Sequence, residues 1–244
     1  MIKPSALMVW PLNCDYPIAR YNLARFKDYF YTIWIALSDH HVPDQNFGNY
    51  IKAQLPFCNF VEVERTRPDW RDDAVNNILD KVGNVSHVCF LEQDFLIKDE
   101  TFFEKVFKDD LPFIRYTEDK RIHPAFAVVR KSLVDKTSRD FSVSPPGDHF
   151  YKFFNELPFG VNVEDLGVTK KEDFYHMAGV SQNYRNFQYG EPFYKPVNFL
   201  YYNYKNMKFL YQHPFFYQLE AQIERTFGHS LIHTFLDNFF PKDE

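Results

Sequence analysis

Glycine is scarce, with 8 among 244 residues, and the shortage excludes whole classes of nucleotide site. Nowhere do the glycines fall into the GxGxxG spacing of a dinucleotide fold or the GxxxxGK of a phosphate-binding loop. Collagen-like and flexible low-complexity sequence are excluded on the same ground. Cysteine is sparse too. Cys14, Cys58 and Cys89 are scattered, odd in number and without a CxxC pair, so no disulfide framework is expected and a reducing compartment fits better. A basic excess is missing: the formal net charge is −5, so no global field draws the chain onto nucleic acid or acidic lipid, although a local basic groove is still allowed. No apolar run approaches the roughly 18 residues that span a bilayer. The first twelve residues lack the length and the small-residue cleavage site of a signal peptide. A cytoplasmic chain is therefore expected, with the sequon Asn84-Val85-Ser86 idle.

What the chain does have is apolar and aromatic mass. Hydrophobic residues at 45% against charged residues at 25% suffice for a full core and exclude wholesale disorder. At this length one domain is expected, and two small ones are admitted. Aromatics reach 19% and include 28 Phe and 16 Tyr, the residue types that dominate core and contact energetics.

The first hundred residues alternate between two periods. Short apolar runs at 6–12, 31–37, 59–63 and 86–91 read as strands, the first as one buried on both faces. Between them, helical spacing predicts helices over 18–30, 47–55 and 70–82, the last closed by Gly83. A further helix is predicted over 100–107 and two further strands over 113–116 and 125–129, with a loop at 137–148. Beyond about position 150 the pattern is irregular and very aromatic, with helices predicted near 216–227 and 231–240 around Gly228. Repeated alternation predicts an α/β fold, a mainly parallel Rossmann-like sheet flanked by helices, because each parallel return needs a crossover. Ligands of such sheets bind beyond the carboxyl ends of the strands.

At one such end stands Phe90-Leu91-Glu92-Gln93-Asp94-Phe95. Two carboxylates two residues apart, flanked by apolar residues, can converge on a hard divalent cation such as Mg²⁺ or Mn²⁺, which takes oxygen ligands and keeps positions for phosphate oxygens. The plainer alternative is an acidic turn that solvates a strand end. A second feature, 69–77, opens the helix before that strand. Its N-terminus favours anions, and Arg71 suits a phosphate or an internal carboxylate. A cap at Asp69 explains the acids of this segment but leaves Arg71 and Asn76 open. The ends of the first two strands, Pro11-Leu12-Asn13 and Ser38-Asp39, face the same ligand side.

The order of elements and the position of Glu92-Gln93-Asp94 resemble a GT-A-fold glycosyltransferase with a variant DxD motif, over roughly residues 5–180. The resemblance implies a metal-dependent transfer of a sugar from a nucleotide diphosphate sugar, a UDP-sugar foremost, to an acceptor hydroxyl on a glycan or a modified DNA base. It implies Mn²⁺ or Mg²⁺ on Asp94, with Glu92 as auxiliary ligand or ribose contact where Asp is commoner. Enzymes of this kind often add a late histidine, and His176 in Phe174-Tyr175-His176-Met177-Ala178-Gly179 is the candidate; the other eight histidines lack a comparable setting. Arg71 and Asn76 would contact the nucleotide or the metal-binding acids, and Pro11, Asn13 and Asp39 would border base and ribose. An inverting transfer needs a general base, for which Asp148 in Pro145-Pro146-Gly147-Asp148-His149 is the first choice and Glu164-Asp165 the reserve. A turn residue chosen for its local hydrogen bonding explains Asp148 equally well.

On this reading residues 1–180 form the GT-A-like nucleotide-sugar-binding and catalytic domain, and 181–244 an aromatic, partly helical C-terminal extension packed on it. The aromatic stretch 184–217 serves there as core and homo-oligomer contact, or as an acceptor wall. Two other classes stay open. A nucleotidyltransferase shares the plan and the paired acids, but would bring a glycine-rich loop after the first strand, where 11–15 holds no glycine. A non-catalytic binding module would leave the acids structural. Abundant Asn, Lys, Phe and Tyr fit an AT-rich coding genome, hence a phage and a host cytoplasm. Lys120, Arg121, Arg130, Lys131, Lys136 and Arg139 would then meet a DNA backbone, against a solvated face as the favoured alternative.

Overall fold

Residues 1–9, 16–38, 47–63, 70–118, 121–142 and 150–176 are described by the computed structural model. In chain order the first half runs β1 (Ser5–Val9), α1 (Tyr16–Phe26), β2 (Ile33–Ser38), α2 (Phe47–Gln54), β3 (Asn59–Val63), α3 (Trp70–Lys81) and β4 (His87–Leu91). The second half runs β5 (Phe95–Ile97), α4 (Phe102–Val106), β6 (Phe113–Glu118), β7 (Arg121–Arg130), α5 (Lys131–Val134), α6 (Tyr151–Glu156), β8 (Val161–Asn162) and β9 (Phe174–His176). Seven strands form one sheet in the order β3-β2-β1-β4-β7-β6-β8. The first four are parallel, each return made through a helix. β7 closes antiparallel on β4, β6 antiparallel on β7, and β8 runs parallel to β6. The fold is α/β, a mixed and mainly parallel sheet flanked by helices.

Period two along the strands feeds two cores. On β4, Cys89 and Leu91 pack with Leu23 and Phe26 of α1, Ile51 of α2, and Phe102 and Phe103 of α4. Val88 and Phe90 face the other way, onto Ala74, Val75, Ile78 and Leu79 of α3 and Phe153 and Phe154 of α6. All five residues of β4 are buried, as a strand covered on both faces requires. The apolar face of α3 ends at Val82, and Gly83, at φ 74°, stops the helix where the spacing predicts. Much of the aromatic content goes into these cores. Phe95 lies stacked between Phe126 and Phe174, with centroids 5.3 and 5.1 Å away.

Three elements depart from expectation. Residues 150–176 are more regular than their composition suggests, with α6, β8, a tight helical turn at Val163–Leu166 and β9. Gly160 admits this return because a Cβ there would stand 2.6 Å from the Phe113 ring. β5 and β9 pair as a separate two-stranded ribbon; at three residues each they are too short to carry a period. Three members of the basic run near 120–139 are ion-paired: Arg130 with Asp110 at 3.2 Å, Lys131 with Asp135 at 2.6 Å, and Arg139 with Asp80 and Asp135. The helices predicted near 216–240, the extension at 181–244 and Cys14 lie outside the described residues. Cys58 and Cys89 are free and buried, and burial pushes both thiols up, Cys58 to about 12. Among the described residues no helix is long and apolar enough to cross a membrane.

His87 opens β4 with 1% exposure. Its Nε2–H donates to the Leu111 carbonyl at 3.0 Å, and Nδ1 is buried without a hydrogen-bond partner. Burial holds its pKa below 6.5, against the pull of that carbonyl and of Asp110. The unfolded chain therefore binds the proton first as pH falls. The stability His87 contributes is present above pH 6.5 and is lost as pH drops toward the folded pKa. Urea midpoints measured from pH 8 to pH 5 should fall more steeply for the native chain than for His87→Gln; parallel curves would refute the assignment.

Candidate metal centre

The chain visits β1, β2 and β3 moving one way across the sheet, then returns to place β4 on the other side of β1. At such a reversal open α/β sheets take their ligands, in the crevice beyond the carboxyl ends of the strands. Glu92-Gln93-Asp94 is the turn that leaves the carboxyl end of β4, closed by the Phe95 N–H donating to the Glu92 carbonyl at 3.2 Å. The Glu92 N–H in turn donates to the Ala125 carbonyl of β7 at 3.0 Å.

His176 comes to the turn through the ribbon. β9 pairs with β5 so that His176 stands opposite Phe95, the residue after Asp94. Its Nε2 lies 3.6 Å from Glu92 Oε2 and 3.7 Å from Asp94 Oδ1. Its Nδ1 donates to Glu118 Oε2 at 2.9 Å, while Glu118 Oε1 accepts from Lys170 Nζ at 2.8 Å. A carboxylate accepts only, so Glu118 keeps a proton on Nδ1 and turns Nε2 toward Glu92 and Asp94. This is the carboxylate–histidine arrangement found behind metal-ligating imidazoles.

The charges are coupled. Burial pushes the Asp94 carboxyl up, with Glu92 adding to the rise and His176 opposing it. Burial alone would lower His176, but hydrogen bonds with Glu118 and Glu92 and the charge of Asp94 outweigh it and raise it to about 10. Glu118 is held well below the ordinary carboxylate range: burial works against its charge, and His176 and Lys170 overcome it. In the metal-free protein an imidazolium thus compensates the acids. Asp94 Oδ1 is buried and makes no hydrogen bond; the His176 imidazolium 3.7 Å away is what compensates its charge. Two carboxylates and an oriented imidazole nitrogen are ligand types that suit a divalent cation, and the nitrogen favours Mn²⁺ over Mg²⁺; among the described residues the three whose ligand atoms all lie within 4.8 Å of one another are Glu92, His123 and His176, and Asp94 meets this group through His176.

Glu118, Lys170 and His123 were not singled out in the sequence. His123, with no setting of its own there, has a nitrogen within 4.8 Å of ligand atoms of both Glu92 and His176. The local signal is Pro124. It has no N–H to give the ladder, and the β6–β7 register breaks beside it: Arg115 pairs with Ala127 but Tyr116 with His123. Such bulges re-aim side chains next to functional sites.

Of the residues expected from sequence, Glu92, Asp94 and His176 come together. Arg71 is the second residue of α3. Asn76 lies on a stripe of that helix with Asp72 and Asp80, and the stripe holds segment 139–141: Asp72 Oδ1 accepts from the Phe141 N–H at 2.6 Å, Asn76 Nδ2 donates to the Arg139 carbonyl at 3.2 Å, and Asp80 pairs with Arg139 at 2.8 Å. Glu164 and Asp165 lie on the turn at Val163–Leu166. Pro11, Asn13, Asp39 and Asp148 lie outside the described residues.

No protein-family model matches the sequence, and no curated protein sequence matches it either. Solved structures do resemble its backbone. A mannosyltransferase from Pyrobaculum calidifontis, solved with GDP-Man and Mn²⁺, matches at 13% identity and a TM-score of 0.42, over 56% of this chain and 47% of its own. S. aureus TarS matches at 14% identity and 0.47, over 75% of this chain and 62% of its own. The inositol-1-phosphate CTP transferase of T. maritima matches at 10% identity and 0.43, over 67% and 86%. The chain thus spans about half the length of the mannosyltransferase. The likeness is one of backbone course, and no residue role is taken from it.

Proposed function

We propose that the chain is a glycosyltransferase that moves a sugar from a nucleotide diphosphate sugar to an acceptor hydroxyl, with Glu92, Asp94 and His176 holding Mn²⁺ or Mg²⁺. The observation that carries this reading is the buried Asp94 Oδ1, without a hydrogen bond and 3.7 Å from His176 Nε2, at the switch-point end of β4. Glu92, Asp94 and His176 would hold the cation, which when bound would supply the charge that neutralises the donor's diphosphate and stabilises the leaving group.

The chain's own residues do the rest. Glu118 and Lys170 fix the His176 ring, so Nε2 faces Glu92 and Asp94 without reorganisation during turnover. Phe95, Tyr116, Phe126 and Phe174 make an apolar floor under the site, which keeps water from competing with the acceptor. Asp148 is assigned as the base that takes the acceptor proton in an inverting transfer, with Glu164 and Asp165 as the reserve. Arg71 at the start of α3, and Pro11, Asn13 and Asp39 after β1 and β2, are assigned to the nucleotide; Asn76, expected to join them, instead donates from Nδ2 to the Arg139 carbonyl. A UDP-sugar is the first donor to test.

A thermal-shift panel of nucleotide sugars, with and without Mn²⁺, tests the reading. Stabilisation by one nucleotide family only when metal is present is expected, since a ligand at a hundred times its Kd adds about 2.7 kcal/mol. Stabilisation by a nucleoside triphosphate with a sugar phosphate instead would make the chain a nucleotidyltransferase. No metal-dependent shift with any nucleotide would leave the acids structural.

A further inference from the structure

Proximity alone would count His123 among the metal ligands. Its hydrogen bonding says otherwise. The Ala125 backbone N–H donates to His123 Nδ1 at 3.1 Å. An amide N–H can only donate, so Nδ1 carries no proton and its in-plane lone pair is already used. The neutral ring then holds its proton on Nε2. Neither nitrogen offers a lone pair to a cation. His176 is the opposite case, because the acceptor on its Nδ1 is the Glu118 carboxylate and Nε2 is the atom turned to Glu92 and Asp94.

What His123 does offer is a surface. Its ring lies against the His176 ring, with centroids 4.3 Å apart and planes at 51°. Tyr116 meets both rings edge-on, at 6.0 Å from His123 and 6.1 Å from His176. We propose that His123 is a positioning residue: its ring, locked by the Ala125 N–H and backed by Tyr116, holds the His176 imidazole at the angle that presents Nε2 to the cation, and His123 itself stays outside the coordination. Pro124 is part of the device. It breaks the ladder at this point and so frees the strand to set His123 against His176 rather than in register with the rest of β7. This inference rests on the metal reading proposed above.

Three measurements test it. In the metal-free protein, ¹⁵N shifts of the histidines should show His123 with a bare Nδ1 and a protonated Nε2; the reverse tautomer would overturn the lock. Electron spin-echo modulation on bound Mn²⁺ should count one imidazole nitrogen, lost in His176→Ala and retained in His123→Phe. A count of two in the native protein would make His123 a ligand and end the proposal. Calorimetric Mn²⁺ affinity should stay within about threefold of the native value in His123→Phe but weaken about tenfold in His123→Ala, within the range seen when a ligand's supporting group is removed. Both variants leave the Ala125 N–H without its acceptor, so the difference between them reports the ring alone. Equal and large losses in both would also overturn the role. Failure of the native chain to bind Mn²⁺ at all would instead remove the metal reading, a result distinct from a second imidazole.

Discussion

Replacing Asp94 with asparagine is expected to weaken Mn²⁺ binding by more than about a hundredfold, beyond the 10–100-fold that loss of an outer-shell partner brings, and to remove metal-dependent stabilisation by a nucleotide sugar. The substitution keeps the side chain's size and one carbonyl-type oxygen, so it isolates the charge. Burial pushes the Asp94 carboxyl up, which means the folded, metal-free chain disfavours the carboxylate relative to the unfolded chain. Metal-free Asp94→Asn should therefore melt at or above the native temperature while its Mn²⁺ isotherm goes flat. That opposition is the signature of a binding group rather than a structural one. A lowered melting point with Mn²⁺ affinity preserved would mean that Asp94 holds the turn together and the cation sits elsewhere. Glu92→Gln should show the same pattern to a smaller degree, because Glu92 is half-buried and Asp94 is buried.

The sheet was legible because its strands carry period two and the helices between them carry a helical face. β4 with both faces apolar, α3 with Ala74, Ile78 and Leu79 on one side, and Gly83 as its stop can all be read from spacing. The acidic pair was legible because it interrupts an apolar run at a strand end. Glu118 and His123 were not: nothing in Thr117-Glu118 differs from an ordinary strand end, and Pro124 marks a break in the ladder without saying what His123 would meet. They join the site only when β6 and β7 fold back across β4, a long-range pairing that no local period encodes. His176 was found through a family resemblance rather than a periodicity, and the reason it can reach Asp94 lies in a three-residue ribbon too short to see. Asn76 illustrates the opposite difficulty. A polar residue near a helix start suggests a ligand, yet its amide is occupied by the Arg139 carbonyl, and Asp72 and Asp80, four residues either way, bind the same segment. Helical spacing could have grouped those three, but it could not have named their partner.

Substituting Asn22 with leucine is expected to cost about 2–5 kcal/mol of folding stability, the largest effect of any single change away from the acids. Asn22 lies on α1 with 1% exposure. Its Nδ2 donates to the Phe95 carbonyl at 2.7 Å, and its Oδ1 accepts from the Ile97 N–H at 3.1 Å. The amide thus acts as a neighbouring strand for β5, satisfying one backbone donor and one backbone acceptor that are far from water. Leucine matches the volume but leaves both groups buried and unpaired, each at about 1–3 kcal/mol. Aspartate should be worse, because it keeps the acceptor for Ile97 but sets a carboxylate against the Phe95 carbonyl. Arg25, one turn further along α1, binds the Ile97 and Lys98 carbonyls and Glu100; it limits how far β5 can move but cannot replace the Asn22 donor. Since β5 follows Asp94 directly and β9 brings His176 to it, loosening the ribbon should also weaken Mn²⁺ binding, in step with faster hydrogen exchange at Ile97. A urea midpoint change worth less than about 1 kcal/mol, the net value of a single ordinary hydrogen bond, with exchange unaltered, would show that α1 does not hold the ribbon and that the acidic turn is fixed by β4 and β7 alone.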